Sequence, residues 1–251
     1  MDRREIVKRG DNSFNYLRNF LASHAQIRLT KEMSFLDFGC GAGGMLHALL
    51  RKGFDAYGVD CGLTGRDEYS SLVGHAPSLL SRWFYYDGAI LPFESRTFDV
   101  VHSWFVLEHV KDLKLSLKEM ARVVKPGGVV ALFTQDARSA YDGHVKVPWP
   151  PFLHTDFYDA YLEEWDKLHR SEYMKSSVYP VISDEILCVL KYFGMNILFA
   201  SDPALFSPEV ALTIRTDEEA RSAARYFKEM QATGEWRVPE PQIYILAQKP
   251  A

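Results

Sequence analysis

Short apolar runs alternate along this chain with longer segments in which apolar residues recur every three or four positions. The runs are typical of strands buried on both faces, and the longer segments are typical of amphipathic helices. The predicted strands cover residues 34–38, 54–60, 83–86, 97–103, 129–134, 196–200 and 243–247, with a further candidate at 209–214. The predicted helices cover residues 1–30, 44–51, 65–80, 112–124, 155–168, 183–193 and 216–231. This alternation predicts an α/β fold around a parallel sheet with right-handed crossovers.

The first predicted strand, a tight turn and a helix follow one another directly at residues 34–51. The turn has the sequence GCGAGG over residues 39–44. Glycines accept a positive φ and let a ligand come close to the backbone, and the helix that follows begins with free N–H groups. The sequence therefore predicts a ligand-binding loop here, inside a strand–helix–strand unit that ends at Asp60.

Two classes of cofactor fit the glycine spacing. The pattern Gly39-x-Gly41-x-x-Gly44 matches the dinucleotide fingerprint, which places a pyrophosphate at the helix N-terminus. A carboxylate at Asp37, just before the first glycine, would repel that phosphate and would attract an ammonium group. The residues therefore favour S-adenosylmethionine, whose methionine end carries an ammonium group and no phosphate.

Two more acids end predicted strands. Asp60 ends the second strand, where an acid can accept hydrogen bonds from both ribose hydroxyls. Asp87 ends the third, where it could accept the adenine amino group beside the backbone of Gly88 and Ala89. Open parallel sheets bind ligands at the carboxyl ends of their strands, so the three acids predict one adenosine site.

Four stretches together resemble class I S-adenosylmethionine-dependent methyltransferases of the small-molecule type. They match in order and in spacing over about residues 34–135. The stretches are LDFGCGAG at 36–43, GVD at 58–60, YDGAILPF at 86–93 with FDVV at 98–101, and VLEHV at 106–110 with VKPGG at 124–128. The resemblance implies a Rossmann-like, doubly wound, seven-stranded and mostly parallel sheet with one antiparallel strand, here residues 243–247.

The resemblance also implies roles for individual residues. The expected cofactor contacts fall into four groups along the ligand. The methionine part would be bound by Asp37, Gly39, Cys40, Gly41 and Gly43, and the ribose by Asp60 and Cys61. The adenine would be bound by Asp87, Gly88 and Ala89, and the residues facing the cofactor would be Ser103 and Trp104. Glu108 and His109 match a recurring pair that is structural in many of these enzymes, and Tyr16 or Arg18 could face the site from the N-terminal helix.

Aromatic residues concentrate between residues 141 and 180, where nine of forty positions are aromatic. We expect an aromatic-rich lid that packs over the sheet, with Trp149 and Phe152 approaching the methyl acceptor. The predicted segments are an N-terminal helical part (1–33), a cofactor-binding core (34–135), the lid insertion (136–182) and a C-terminal part that completes the sheet (183–251).

A hydroxyl acceptor would require a general base, and the candidates lie after the fifth predicted strand. They are His144 and His154 in the aromatic segment and Asp136 at the strand end. For an amine acceptor, Asp136 or Asp156 could bind the cation instead. We expect no metal, because the fourth strand ends in His102-Ser103-Trp104 and offers no acid.

Composition and charge exclude several other classes. The 251 residues are 47% hydrophobic and 25% charged, and the net charge of −4 gives no general attraction to nucleic acid. No apolar run has the length of a membrane span, and residues 1–6 lack the apolar core of a signal peptide. Three separated cysteines suit a reducing compartment. We therefore expect a cytoplasmic monomer or homodimer without nucleic-acid or membrane partners.

The function predicted from the sequence is in-line methyl transfer from S-adenosylmethionine to a small molecule, with a sugar or other secondary metabolite as the guessed acceptor. A protein methyltransferase and a non-catalytic relative that binds S-adenosylmethionine stay open as alternatives. An NAD(P)-dependent oxidoreductase is disfavoured by Asp37 and by the absence of a Tyr-x-x-x-Lys pair from the sequence.

Overall fold

A computed structural model of the chain describes residues 2–201, 214–235 and 242–251. Its helices are α1 Arg3–Ala25, α2 Gly44–Arg51, α3 Leu63–Leu72, α4 Pro77–Leu80, α5 Leu113–Val123, α6 Tyr158–Glu164, α7 Ser171–Ser177, α8 Ser183–Tyr192 and α9 Asp217–Thr233. Its strands are β1 Ser34–Phe38, β2 Asp55–Asp60, β3 Trp83–Tyr85, β4 Phe98–Trp104, β5 Val124–Gln135, β6 Tyr141–Asp142, β7 Val147–Pro148, β8 Asn196–Ala200 and β9 Gln242–Gln248. The strand candidate at 209–214 falls almost wholly outside the described residues.

Seven strands form one sheet in the order β3-β2-β1-β4-β5-β9-β8. β1 runs parallel to both β2 and β4, β2 is parallel to β3, and β4 is parallel to β5. β9 lies between β5 and β8 and is antiparallel to β8. The predicted Rossmann-like, mostly parallel sheet with one antiparallel strand is confirmed.

The described chain divides into two compact units. Unit 1 contains residues 1–133, 186–200 and 244–251, and unit 2 contains residues 134–185 and 201–243. Unit 1 therefore holds β1 to β4, β8, most of β5 and β9, the helices α1 to α5 and most of α8. Unit 2 holds the whole segment predicted as a lid, residues 136–182, together with α9.

One hydrophobic core of unit 1 includes residues of α1, α2 and one face of the sheet. All five residues of β1 are buried, as the continuous apolar run predicts for a central strand. Phe14, Leu17 and Leu21 on α1 join Leu46 and Leu49 on α2 in this core. α1 approaches α2 closely because neither Gly10 nor Gly44 has a side chain; a Cβ on Gly10 would lie 2.0 Å from the carbonyl oxygen of Gly44.

Two predicted helices have different ends from those expected. The helix predicted for residues 65–80 is two helices, since Gly74 and His75 both have positive φ between α3 and α4. Pro77 then begins α4, where its missing N–H costs nothing. The helix predicted for residues 1–30 ends at Ala25, because Gln26 takes the left-handed conformation. Helix ends depend on single residues, which periodicity does not resolve.

Unit 2 has its own hydrophobic core, and aromatic residues supply much of it. Trp149 and Tyr161 are buried together with Leu162, and Phe227 of α9 joins the same cluster. The Tyr161 hydroxyl donates a hydrogen bond to the carbonyl of Pro148. The aromatic enrichment of residues 141–180 is thus explained in large part by the packing of α6 against α9.

Candidate functional site: a glycine loop over a buried acid

The site lies in unit 1, where the loop after β1 turns into α2. The backbone N–H groups of Gly39 and Cys40 both donate to the carbonyl of Val59 on β2, at 2.8 and 3.0 Å. Gly39, Gly41 and Gly43 have φ values of 77°, 49° and 70°, a region that favours glycine. The chain therefore makes a tight loop at the carboxyl end of the sheet, as the glycine spacing predicts.

The surroundings of the three glycines differ. A Cβ on Gly39 would lie 2.2 Å from Val106, and a Cβ on Gly43 would lie 2.2 Å from the ring of Tyr69. By contrast, a Cβ on Gly41 would meet no described atom within 4 Å. Gly39 and Gly43 are thus required for packing, whereas Gly41 borders open space that a ligand can fill.

Asp37 lies in β1, beneath this loop. Its side chain is almost fully buried, and its Oδ1 atom lies 3.4 Å from Nδ1 of His102 on β4. Within the part of the chain that the structure describes, its Oδ2 atom has no hydrogen-bond partner. A buried carboxylate oxygen without a partner is costly, so the site favours a ligand that brings a donor or a positive charge.

A cavity of about 630 Å³ adjoins Asp37 and the glycine loop. From β4 and the residue after it, His102, Trp104 and Phe105 line this cavity. Its other wall comes from one face of α1, and the polar residues there are Arg9, Asn12, Ser13 and Tyr16.

Of the two candidates on this helix, Tyr16 therefore lines the cavity, whereas Arg18 contacts Asn19.

Sequence reasoning missed Arg9, Asn12 and Ser13. A signal was present, because residues 9, 12 or 13, and 16 follow the spacing of three and four that places side chains on one helix face. The apolar stripe of α1 indicates only the neighbouring, buried face of the helix, which shares Ile6 and Gly10 with the cavity wall.

Asp60 connects two loops at the carboxyl end of β2. Its Oδ2 accepts the N–H of Gly41 at 2.8 Å, and its Oδ1 accepts the N–H of Gly62 at 2.7 Å. Each carboxylate oxygen has a second lone pair that a ribose hydroxyl could use. Cys61, the next residue, is exposed. The position thus fits the ribose role, and it also fixes the glycine loop.

Asp87 and its neighbours form a turn at the end of β3. Asp87 Oδ1 accepts the N–H of Ala89 at 2.9 Å, and Gly88 between them has a φ of 89°. Asp87, Gly88 and Ala89 are exposed and do not line the 630 Å³ cavity. Because β3 is at the edge of the sheet, this turn lies farther along the same carboxyl edge than the glycine loop.

Three further predicted contacts lie at the cavity or directly beside it. Trp104 lines the cavity, and its ring stacks on Phe133 at 4.7 Å between centroids. Ser103 is fully buried. Cys40 also lines the cavity, and burial, together with the carboxylates of Asp37 and Asp60, raises the pKa of its thiol well above the usual range. The environment of Cys40 therefore favours the neutral thiol, which packs in the wall of the cavity.

The three predicted general bases belong to unit 2. Asp136 is fully buried. Burial by itself would raise the pKa of its carboxyl group. Hydrogen bonds donated by Arg138 and by the Ser183 N–H outweigh this effect and lower the pKa. Nδ1 of His144 lies 3.2 Å from Asp142 Oδ1. The exposed His154 caps a turn by accepting the N–H of Asp156. Asp136 thus forms a buried ion pair, and such a carboxylate is a weak proton acceptor.

The remaining predicted pair lies in a short 3-10 helix of unit 1, Leu107–His109. Glu108 is buried and His109 is half-buried. Neither lines the 630 Å³ cavity. The pair therefore does not contribute to the wall of this cavity.

The parallel sheet in this strand order, with a glycine loop over a buried acid and further acids at the next strand ends, is the arrangement that the resemblance to class I S-adenosylmethionine-dependent methyltransferases predicts. A family model described as a methyltransferase domain matches residues 12–180, and the chain belongs to this family. The predicted family, and with it the predicted cofactor, is confirmed by this match.

Named relatives show similarity over different lengths. A sterol 4-C-methyltransferase, strm-1, from Caenorhabditis elegans is 25% identical over an alignment of 232 residues, and the match covers 83% of this chain and 64% of that protein. A ubiquinone biosynthesis O-methyltransferase from Azorhizobium caulinodans is 32% identical over 120 residues, 47% of this chain and 46% of that protein. The chain thus spans less than two thirds of the length of both relatives.

One solved structure illustrates the fold. Phosphoethanolamine N-methyltransferase 2 from Haemonchus contortus, in complex with S-adenosylmethionine, superimposes with a TM-score of 0.57 at 17% identity. The match covers 94% of this chain and 53% of that chain. At this identity the comparison concerns the fold alone.

Proposed function

We propose that this protein transfers the methyl group of S-adenosylmethionine to a small-molecule acceptor. The observation that carries the proposal is the buried Asp37 carboxylate, whose Oδ2 atom has no partner among the described residues. It lies under the glycine loop and beside a cavity of about 630 Å³. A phosphate could not bind next to this charge, whereas the ammonium group of S-adenosylmethionine would form an ion pair with the Asp37 carboxylate.

The residues of unit 1 would hold the cofactor along its length. Asp37 and the glycine loop would bind the methionine end, Asp60 and Cys61 the ribose, and the turn of Asp87 to Ala89 the adenine. When bound, the cofactor supplies a methyl group on a positively charged sulfur. The rings of Tyr16 and Trp104 meet edge to face at 5.2 Å beside the cavity, and aromatic faces attract such a cation.

The chain's catalytic contribution would be to hold the acceptor in line with the methyl group and to exclude water. For a hydroxyl acceptor we assign the general base to His144. Asp142 accepts a hydrogen bond from the His144 backbone N–H at 2.7 Å and lies 3.2 Å from its ring, so it orients the imidazole. Asp136 is less suited, because Arg138 and Ser183 occupy its carboxylate.

The named activities of the relatives support a small-molecule acceptor, since both names refer to the methylation of small molecules. We further propose that residues 136–182 select this acceptor. A sugar or other secondary metabolite stays a prediction. Among the described residues, no helix combines the length and the apolar character that crossing a membrane requires.

Isothermal titration calorimetry of the intact chain tests the proposal. We expect S-adenosylmethionine to bind and NAD to give no heat. Asp37→Asn removes the charge and should weaken S-adenosylmethionine binding about tenfold or more. Asp67→Asn, a matched change on the exposed surface of α3, should leave it unchanged. No heat with S-adenosylmethionine would refute the proposal.

A methyl-transfer screen over sugars, phenols, amines and quinol-type compounds then addresses the acceptor. Methylated product from one of these classes supports the small-molecule proposal. The protein methyltransferase alternative would be favoured by a different result: the chain binds the cofactor, methylates none of these compounds and methylates protein substrates instead.

A further inference from the structure

A histidine lies beside the buried acid of the cofactor site. Nδ1 of His102 is 3.4 Å from Oδ1 of Asp37, and both side chains are at most 5% exposed. β1 and β4 are neighbouring strands with Asp37 opposite His102, so the two side chains project from the same level of the sheet. A carboxylate is only an acceptor, so a hydrogen bond between the two side chains requires the hydrogen on Nδ1 of His102.

Packing alone does not explain a histidine at this position. Its ring lies among aromatic neighbours, with centroid distances of 5.7 Å to Phe133 and 6.0 Å to Trp104. Its other nitrogen, Nε2, is buried and has no hydrogen-bond partner within the described ranges. A phenylalanine would fill a similar volume without burying an unpaired polar atom. The polar contact that distinguishes His102 from a phenylalanine is the one with Asp37.

The contact affects how the acid presents its two oxygens. The last torsion of an aspartate side chain has broad energy wells, so a carboxylate without a fixed neighbour turns easily. Holding Oδ1 leaves Oδ2 as the oxygen available to a ligand, and Oδ2 is the atom that has no partner in the described structure. A carboxylate that is already oriented loses less entropy when it binds.

We propose that His102 is a positioning residue that orients Asp37 for the ammonium group at the methionine end of the cofactor. The proposal rests on the proposed function, since it assumes that S-adenosylmethionine binds in this cavity. His102 lines the same cavity, but its role is exerted through Asp37. It follows that His102 affects ligands that carry the amino-acid group and spares ligands that lack it.

Two variants and two ligands test this inference by calorimetry on the full chain. His102→Phe keeps the ring volume and removes the donor, whereas His102→Asn keeps an N–H near the position of Nδ1. S-Adenosylhomocysteine carries the ammonium group, and 5′-methylthioadenosine shares the adenosine and sulfur but lacks the amino-acid group. We expect His102→Phe to weaken S-adenosylhomocysteine binding about tenfold and to leave 5′-methylthioadenosine within about twofold.

His102→Asn should restore most of the S-adenosylhomocysteine affinity. In a double-mutant cycle, His102→Phe should have little further effect once Asp37 is asparagine, because the two residues act together. His169→Phe, an exposed histidine in unit 2, serves as the matched control and should change neither ligand. Thermal denaturation of each variant verifies that it is folded.

The outcomes separate this inference from the proposed function. If the wild-type chain binds S-adenosylhomocysteine and His102→Phe binds it equally well, the positioning role is wrong and the proposed function stands. Equal losses for both ligands would also overturn the inference, because a purely structural role would produce them. Absence of binding by the wild-type chain would instead refute the proposed function.

Discussion

At the scale of single residues, the three glycines of the loop show how one residue type meets separate demands. Gly39 and Gly43 avoid collisions with Val106 and Tyr69, whereas Gly41 borders open space and donates its N–H to Asp60. All three have positive φ, and this local property is what a glycine pattern in a sequence reports. Which neighbour each glycine accommodates is set by residues distant in the chain.

Gly41→Ala tests whether a ligand uses the open space beside the loop. The substitution introduces φ strain of about 1–2 kcal/mol but no collision. Gly74→Ala is a matched control, since Gly74 also has positive φ and no described atom near its Cβ position. We expect similar losses in melting temperature for both variants and weaker S-adenosylmethionine binding only for Gly41→Ala. Unchanged cofactor affinity in Gly41→Ala would show that the ligand does not approach this residue.

Asp136 provides a pH prediction. The pKa of Asp136 is lower in the folded protein than in the unfolded chain. The ion pair with Arg138 therefore stabilises the folded protein at pH values above the unfolded-state pKa. This stabilisation is lost as the pH falls through the folded-state pKa. Asp136→Asn should cost roughly 3 kcal/mol at pH 7, and the difference from wild type should shrink below about pH 4. Chemical denaturation over pH measures both. Asp184→Asn, which removes the exposed partner of Arg138, should have a small effect.

At the scale of elements, α1 does more than cover the core edge. One of its faces packs on α2 through Gly10 and Gly44, and another lines the cavity with polar side chains. The helix therefore belongs both to the hydrophobic core of unit 1 and to the wall of the cavity. The apolar stripe predicted the helix correctly because it marks the face that packs in the core. It did not indicate the second face, which lines the cavity.

Gly10→Ala tests the contact between α1 and α2. On an exposed helix, replacing glycine with alanine stabilises by about 1 kcal/mol. Here the new Cβ would lie 2.0 Å from the Gly44 carbonyl oxygen, so we expect a lower melting temperature and weaker cofactor binding. Ser23→Ala, at an exposed position of the same helix, should be neutral or slightly stabilising. A stabilised Gly10→Ala variant would contradict close packing of the two helices.

Tyr16 and Arg18 form a second matched pair on α1. Tyr16→Ala removes a cavity wall and its edge contacts with Trp104 and Phe133, and it should weaken S-adenosylmethionine binding several-fold. Arg18→Ala should leave binding unchanged, because Arg18 does not line the cavity. Titration calorimetry distinguishes the two, and equal effects would argue that α1 acts only through stability.

At the scale of the whole molecule, the cofactor site and the aromatic segment belong to different units. Unit 1 contains the glycine loop, Asp37 and the 630 Å³ cavity. Unit 2 gathers residues 134–185 and α9 around a separate core. The sequence placed α9 with the C-terminal part of the sheet, since nothing in its local pattern indicates that Phe227 packs near Tyr161.

Trp149 and Phe152, both expected to approach the acceptor, differ in burial. Trp149 packs against Tyr158 and Tyr161, so Trp149→Ala should cost about 3–5 kcal/mol of stability. Phe152 is 59% exposed, so Phe152→Ala should change the free energy of unfolding by less than about 0.5 kcal/mol. If residues 136–182 select the acceptor, Phe152→Ala should raise the KM for the acceptor and leave cofactor affinity unchanged. An unchanged KM would remove Phe152 from the acceptor site.

Local patterns in the sequence predict the succession of strands and helices, the glycine loop after β1, and three acids at or near the carboxyl ends of β1, β2 and β3, namely Asp37, Asp60 and Asp87. These features depend on periodicity, on positive φ and on the ends of strands, all of which are expressed within short stretches of chain. The folded structure alone shows that His102 lies beside Asp37, that Arg9, Asn12 and Ser13 line the cavity, and that Arg138 and Ser183 bind Asp136. These roles depend on which side chains folding brings together across the sheet, between helices and around a buried charge, and a local pattern does not record such contacts.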